Sequence, residues 1–154
     1  MLMNRLGAAI IMLSRGTPFM LAGEEMLRTK DGDHNSYASS DAVNNIDWDA
    51  LTPGSNVAKM RDFYRGLIRL RRENAFLRTA DVICTVLDNA VIEIIWTDAA
   101  GAELARAVIN PTSETVDYRA DGEYRLLLED WDFPQDAVRV PEFVNPMSVV
   151  LFVK

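Results

Sequence analysis

The sequence predicts an α+β chain built from two unlike parts, and two patterns in its 154 residues carry this prediction. Up to about residue 80, apolar residues recur every three to four positions, as on amphipathic helices; after Arg78 they recur about every second position, as on strands. The charge changes at the same place, from a net of +2 over residues 1–80 to -9 over residues 81–154. The overall charge of -7 therefore comes from the β-rich part.

The first predicted element is a buried helix over residues 2–13, where apolar side chains are spaced by three and four and Gly16 stands where a helix would stop. A secretion signal is the competing interpretation, because Arg5 precedes the apolar stretch. No A-x-A-like cleavage site follows, however, and Arg15 interrupts the run. No segment approaches the ~20 apolar residues of a membrane span.

The second predicted element is a strand over residues 18–22, a short apolar run bounded by Gly16 and Gly23. Such a run is typical of a strand buried on both faces, as parallel strands are. A helix, a glycine turn and a buried strand in succession indicate α/β architecture.

Residues 23–55 form a long polar segment rich in Asp, Asn, Ser and Gly. Loops of this length are usually functional or disordered. Tyr37, Ile46 and Trp48 supply apolar anchors that a disordered linker would lack. The sequence therefore predicts an ordered, ligand-facing loop.

A long amphipathic helix is predicted over residues 56–73, because its apolar residues repeat at 3.6-residue spacing while most of its arginines lie off that stripe. Ser55 or Asn56 can cap its N-terminus.

Seven short strands are predicted after residue 80, and this number in about 70 residues favours an antiparallel sandwich or barrel. Acidic residues such as Glu93, Asp117 and Glu123 are predicted to point outward into solvent. The predicted strands span residues 82–87, 91–97, 104–109, 115–118, 124–129, 137–140 and 148–153.

Composition excludes several classes of function. A net charge of -7 and a pI near 4.7 argue against nucleic-acid binding, which requires clustered Lys and Arg. With only Cys84 and His34, the chain offers no internal disulfide and no Cys/His cluster for zinc. Phosphate-loop, dinucleotide, zincin and hydrolase-elbow motifs are all missing from the sequence. We expect no cofactor, no metal and no membrane partner.

Three linked motifs carry a family resemblance. They are G-T-P-F-M-L-A-G-E-E-M followed by L-R-T-K over residues 16–30, G-D-H-N-S-Y over 32–37 and N-N-I-D-W over 44–48. The chain closely resembles type I pullulanases, which are α-1,6-debranching members of the α-amylase superfamily. The resemblance runs through the whole chain in order.

The resemblance implies that residues 1–79 are the last helix–strand–loop–helix of a catalytic (β/α)8 barrel, with residues 18–22 as its eighth strand. Residues 80–154 would then be the C-terminal β-sandwich. It also implies that the catalytic Asp, Glu and second Asp lie on earlier barrel strands, so no catalytic residue is expected here. Retaining hydrolysis needs two carboxylates about 5 Å apart, and the chain alone should be inactive.

The resemblance further implies that the loop contacts an α-glucan substrate. Tyr37 offers a ring for stacking, whereas Arg28, Asp33, His34 and Asn35 offer polar groups for sugar hydroxyls. Each of these residues also has a structural alternative. Arg28 could pair with a neighbouring glutamate, Asp33 and Asn35 could form Asx turns, and Tyr37 could pin the loop.

Three tryptophans are predicted to be structural. Trp48 is interpreted as a loop anchor and Trp96 as core. Trp131 and Phe133 are interpreted as a packed loop, with an exposed sugar-binding patch as the alternative.

Two other functions stay open: an isoamylase-like or glycogen-debranching relative, and a non-catalytic carbohydrate-binding or structural accessory domain. We also expect apolar faces at residues 2–13 and 18–22 to be exposed, with self-association through them.

Overall fold

The computed structural model describes residues 1–135, 137–139 and 142–154, and the side chain of Asn89 lies outside the description. The helices occupy the first half of the chain, with short 3-10 turns between them. They are α1 (Leu2–Leu13), α2 (Asp41–Asn44), α3 (Asn56–Glu73) and α4 (Phe76–Thr79).

Every strand of the described residues lies in the second half and pairs antiparallel with its neighbours. Five strands form one sheet in the order β1-β2-β3-β7-β5, and β4 and β6 form a separate two-stranded sheet. The strands are β1 (Asp81–Val86), β2 (Ile92–Thr97), β3 (Glu103–Asn110), β4 (Val116–Asp117), β5 (Arg125–Glu129), β6 (Phe143–Val144) and β7 (Ser148–Val153). The chain is thus a mixed α/β structure with an antiparallel sheet. This part of the fold prediction is confirmed.

The five-stranded sheet is covered on both faces. On one face, Trp96, Ala107 and Leu151 pack in a single core with side chains of α1 and α3. On the other face, Val150 and Phe152 pack with Tyr118, Tyr124 and Val144 from the second sheet and its flanking loops. The central strands β3 and β7 are therefore buried on both sides, which explains their long apolar runs. Trp96 is core, as predicted.

Arg71 joins the end of α1 to α3. Its guanidinium is buried and donates hydrogen bonds to the carbonyl oxygens of Met12 at 2.7 Å, Ser14 at 2.8 Å and Gly16. These carbonyls lie at a helix C-terminus, where intrahelical donors run out. Ser14 donates to the Ile10 carbonyl, and Arg71 adds donors for three further carbonyls at and just beyond the end of α1.

Trp131 and Phe133 fasten the loop after β5 to α3. Phe63 of α3 packs edge-on to Trp131 at 5.5 Å and against Phe133 at 5.7 Å between ring centroids. The guanidinium of Arg5 lies over the Trp131 ring at 5.4 Å. A Cβ atom on Gly66 would lie 2.1 Å from the Phe133 ring, so only glycine permits this approach. The packed-loop interpretation of this aromatic pair is confirmed.

A polar network lies on the face of the sheet opposite the helices. Arg106 donates to Glu93 at 3.1 Å and to Glu103 at 2.5 Å, and the Tyr118 hydroxyl donates to Glu93 at 2.7 Å. Hydrogen bonding to Glu103 raises the pKa of Arg106, and burial raises the pKa of Tyr118. The prediction that Glu93 is a solvated outward residue was wrong, because burial beside Arg106 gives it two donors.

The predicted strand over residues 18–22 is not a strand. The segment has no strand partner among the described residues, and the side chain of Phe19 is 88% exposed. A strand requires a neighbouring backbone to complete its hydrogen bonds, and the sequence pattern alone does not supply one.

The prediction of a strand over residues 137–140 was also wrong for residues 137–139, which the structure describes. Val138 makes only an isolated bridge with Arg125, and Val140 lies outside the described residues. Three short elements were missed, α2, α4 and β6. Each is too short to display a period.

Candidate functional site

The loop predicted to face a ligand is built from short turns rather than from regular elements. Turns of 3-10 helix cover Glu24–Met26, Lys30–Gly32 and Ser36–Ala38, and the single turn of α2 follows. Leu27, Lys30 and Asp31 adopt positive φ of 58°, 51° and 52°. Three non-glycine residues in the left-handed region within five positions indicate a backbone that its surroundings hold in place.

Asn44 is the centre of the loop's hydrogen bonding. Its side-chain Nδ2 donates to the carbonyl oxygens of Ser36 at 2.7 Å and Ser39 at 3.1 Å. Its own carbonyl accepts from Nη1 of Arg28 at 2.9 Å. Lys30 adds a hydrogen bond from its Nζ to the Ser36 hydroxyl at 2.7 Å. One asparagine thus connects the R-T-K segment to the turn that carries Tyr37.

Arg28 holds the loop through a backbone carbonyl rather than through a carboxylate. Its side chain crosses Gly23, where a Cβ atom would lie 2.8 Å from the Arg28 Nε. Gly23 adopts a φ of 96°, so the position needs glycine for both space and conformation. Glu25 accepts instead from the Gly23 N–H at 3.0 Å. The predicted alternative of an Arg28 pair with a neighbouring glutamate is wrong.

Asp33 closes an Asx turn, the structural alternative predicted for it. Its Oδ1 accepts from the N–H of Asn35 at 2.9 Å, and its Oδ2 accepts from the Ser39 hydroxyl. The pKa of Asp33 lies below its usual range. The largest cause is the hydrogen bond from Ser39, and the next is the one from the Asn35 N–H. The exposed carboxylate is therefore kept ionised by turn geometry.

Tyr37, His34 and Asn35 project from this framework into solvent. The Tyr37 side chain is 92% exposed, and His34 and Asn35 are also exposed. Trp48 is 65% exposed, so the predictions that Tyr37 and Trp48 anchor the loop were wrong. Hydrogen bonds of Asn44, Arg28 and Asp33 hold the loop instead.

An open cavity of about 330 Å³ lies beneath the loop. Its charged lining consists of Arg28, Lys30, Asp31 and Asp47. Of the five residues predicted as a site, the cavity therefore includes Arg28, while Asp33, His34, Asn35 and Tyr37 lie on the outer part of the loop. Within the described ranges, no group of three or more His, Cys, Asp or Glu side chains could hold a metal ion. No helix of the described chain is long and apolar enough to cross a membrane.

Similar proteins show the family to which the chain belongs. The chain is 32% identical over 153 residues to pullulanase of Bacillus subtilis, a match that covers 92% of this chain and 21% of the relative. It is 30% identical over 135 residues to chloroplastic isoamylase 3 of Oryza sativa, covering 85% of this chain and 16% of that protein. The chain belongs to the debranching enzymes of the α-amylase superfamily. This confirms the resemblance seen in the sequence.

Solved structures agree with this membership. The type I pullulanase of Bacillus subtilis complexed with maltose superimposes with a TM-score of 0.82 at 28% identity, covering 97% of this chain and 23% of that chain. A pullulanase from Anoxybacillus complexed with maltotetraose shares the fold with a TM-score of 0.80 at 23% identity, covering 98% and 23%. No protein-family model matches the chain. The chain spans about a fifth of the length of the debranching enzymes it matches.

Sequence reasoning missed Asn44, the residue that organises the site. A signal was present, because Asn44 opens the N-N-I-D-W motif. Which backbone groups its amide reaches depends on the folded path of the loop, which motif spacing does not specify.

Proposed function

We propose that this chain is the C-terminal part of a longer pullulanase-like enzyme that cleaves α-1,6-glucosidic links in pullulan or branched α-glucans with retention. In this proposal residues 1–79 complete the catalytic (β/α)8 barrel and residues 80–154 form a β-sandwich domain. The similarity to pullulanases over nearly the whole chain supports it. The loop over residues 23–55 then borders the substrate cleft.

The observation that carries the proposal is an exposed aromatic ring on a fixed loop. Tyr37 is 92% exposed, yet its turn is held by two hydrogen bonds from Asn44. A glucosyl ring can stack its C–H face on such an aromatic side chain. Because the loop is already ordered, binding costs little conformational entropy.

The polar residues of the loop divide into two roles in this proposal. His34 and Asn35 are exposed and contact sugar hydroxyls beside Tyr37. Arg28 and Asp33 make hydrogen bonds within the loop and act mainly by positioning it.

The chain contributes no catalytic carboxylate to the reaction. Retaining hydrolysis requires a nucleophile and an acid about 5 Å apart, and we propose that both belong to another part of the longer enzyme. Purified chain incubated with pullulan should release no reducing ends. If release of reducing ends co-purifies with the chain, the proposal that the chain contributes no catalytic carboxylate is wrong.

Kinetics of the longer enzyme test the role of Tyr37. Tyr37→Ala should raise KM for pullulan about tenfold and leave kcat nearly unchanged, because stacking on a distant glucosyl unit stabilises the ground and transition states alike. Tyr37→Phe is the matched control and should keep KM near the wild-type value. An unchanged KM in Tyr37→Ala would show that the ring does not contact substrate.

An isoamylase-like or glycogen-debranching specificity remains the second candidate. Similarity to isoamylase 3 and to the glycogen debranching enzyme of Pectobacterium atrosepticum, 37% identical over 62 residues, favours it. Relative rates on pullulan and glycogen separate the two. An accessory sugar-binding role centred on Trp131 has less support, because that ring packs on Phe63.

We also propose that the apolar side chains left exposed near the N-terminus are contact surface. Leu2, Met3 and Phe19 are 48%, 75% and 88% exposed. They would pack against the rest of the longer enzyme, and the isolated chain would self-associate through them.

A further inference from the structure

Ser36 is a buried residue in an otherwise exposed part of the loop. Asn35 before it and Tyr37 after it are both exposed, whereas Ser36 keeps only 6% of its surface in contact with solvent. The Tyr37 ring is 92% exposed, so its own side-chain contacts do little to orient it. The direction in which the ring points therefore depends on the backbone at Ser36 and Tyr37.

The carbonyl of Ser36 belongs to the peptide group that joins Ser36 to Tyr37. It accepts from the Ser39 N–H at 3.1 Å and from Nδ2 of Asn44 at 2.7 Å. A carbonyl oxygen has two lone pairs, so this oxygen is fully used. Because a peptide group is planar, fixing its oxygen also fixes the plane that contains the Cα atom of Tyr37.

Two separate segments hold this turn. Nδ2 of Asn44 also donates to the Ser39 carbonyl at 3.1 Å, so one amide group fixes the turn on both sides of Tyr37. Lys30 comes from the other direction along the chain, and its Nζ donates to the Ser36 hydroxyl at 2.7 Å. The carbonyl and the hydroxyl of Ser36 are thus bound by two different side chains.

We propose that Asn44 and Lys30 are positioning residues for glucan binding. They hold the peptide group after Ser36, and through it they keep the Tyr37 ring in the direction that meets a glucosyl unit. A ring that is oriented before binding loses less conformational entropy when the sugar stacks on it. The inference rests on the proposed function, in which Tyr37 contacts the substrate.

The Asn44→Asp variant of the longer enzyme removes both donations with almost no change of shape, because a carboxylate cannot donate a hydrogen bond. KM for pullulan should rise about fivefold while kcat stays nearly unchanged, as expected when only uniform binding is lost. Asn45→Asp is the matched control, since it makes the same chemical change at the adjacent, exposed asparagine. An equal rise in KM in both variants would overturn the proposal, because the added charge would then explain it.

A second pair of variants tests Lys30 without altering Asn44. Lys30→Met removes the ammonium group and keeps an apolar side chain, and Ser36→Ala removes the hydroxyl that accepts from it. Each should raise KM about threefold, and the double variant should raise it no further, because both remove the same hydrogen bond. Effects that multiply in the double variant would contradict the role of Lys30.

The Tyr37→Ala background separates positioning of the ring from general support of the loop. If Asn44 acts through the ring, adding Asn44→Asp to Tyr37→Ala should change KM by less than about twofold. A further full rise would overturn the proposal. If Tyr37→Ala alone leaves KM unchanged, the proposed function fails and this inference fails with it. If Tyr37→Ala raises KM and Asn44→Asp does not, only this inference fails.

Backbone ¹⁵N relaxation of the labelled chain supplies a readout that does not depend on activity. The order parameter of the Tyr37 amide should fall from about 0.85, typical of rigid backbone, to below about 0.6 in Asn44→Asp. The amides of α3 should keep their values in the same variant, which shows that the fold is intact. Asn45→Asp should leave Tyr37 ordered. An unchanged order parameter at Tyr37 in Asn44→Asp would overturn the proposal.

Discussion

Arg71 is the residue on which the contact between α1 and α3 depends most. Burial, and then the nearby charge of Arg78, lower the pKa of Arg71 from its ordinary value. The Arg71 guanidinium can be buried as a cation because three backbone carbonyls accept hydrogen bonds from it.

Arg71→Met should lower the free energy of unfolding by about 2–3 kcal/mol, because the carbonyls at the end of α1 lose charged donors in a buried site. Urea denaturation measures the change. Arg72→Met is the matched control: Arg72 is the adjacent, exposed arginine, and its replacement should cost less than about 0.5 kcal/mol. Equal losses in the two variants would contradict the capping role.

Asp33 gives a pH-dependent readout of the loop. Because its pKa is lowered in the folded state, its contribution to loop order is present above the ordinary value of about 3.9 and is lost as pH falls through the folded value. Ser39→Ala should move the pKa of Asp33 back toward its ordinary value, since the Ser39 hydroxyl is the main cause of the shift. An NMR titration of the carboxyl carbon measures this, and an identical pKa in both proteins would refute the assignment.

At the scale of elements, α3 connects the two parts of the molecule through Gly66. Helix interiors usually disfavour glycine, yet here the Phe133 ring occupies the space of a Cβ atom. The contact ties the loop after β5 to the helix and closes one side of the core.

Gly66→Ala should destabilise the protein by about 1–2 kcal/mol, since overpacking against Phe133 exceeds the gain in helix propensity. Gly7→Ala in α1 is the control, because no atom lies within 4 Å of its Cβ position. That substitution should stabilise by up to about 1 kcal/mol. Thermal or urea unfolding compares the two, and stabilisation by both would contradict the packing argument.

Elements with a clear period were predictable, whereas elements that depend on distant partners were not. The bounds of α1 and α3 matched the sequence pattern, and Ser55 caps α3 by accepting from the Ala58 N–H at 3.1 Å. Residues 18–22 have the composition of a strand but lack a partner backbone. The order β3-β7-β5 joins strands that are far apart in sequence, and no local pattern specifies it.

At the scale of the whole molecule, a five-stranded sheet carries helices on one face and a two-stranded sheet on the other. The motifs identified the family correctly. They did not show that Trp48 is exposed or that Asn44 holds the loop, because side-chain exposure in an irregular segment depends on its three-dimensional path. The charge of -9 over residues 81–154 also includes Glu93 and Glu103, which are paired with Arg106.

The central claim is that the loop over residues 23–55 contacts α-glucan through Tyr37. An NMR titration of the isotopically labelled chain with maltotriose tests it most directly. The account predicts millimolar binding with chemical-shift changes centred on residues 33–37, lost in Tyr37→Ala and retained in Tyr37→Phe. Changes centred on the Trp131 indole, or the same changes in Tyr37→Ala, would contradict it.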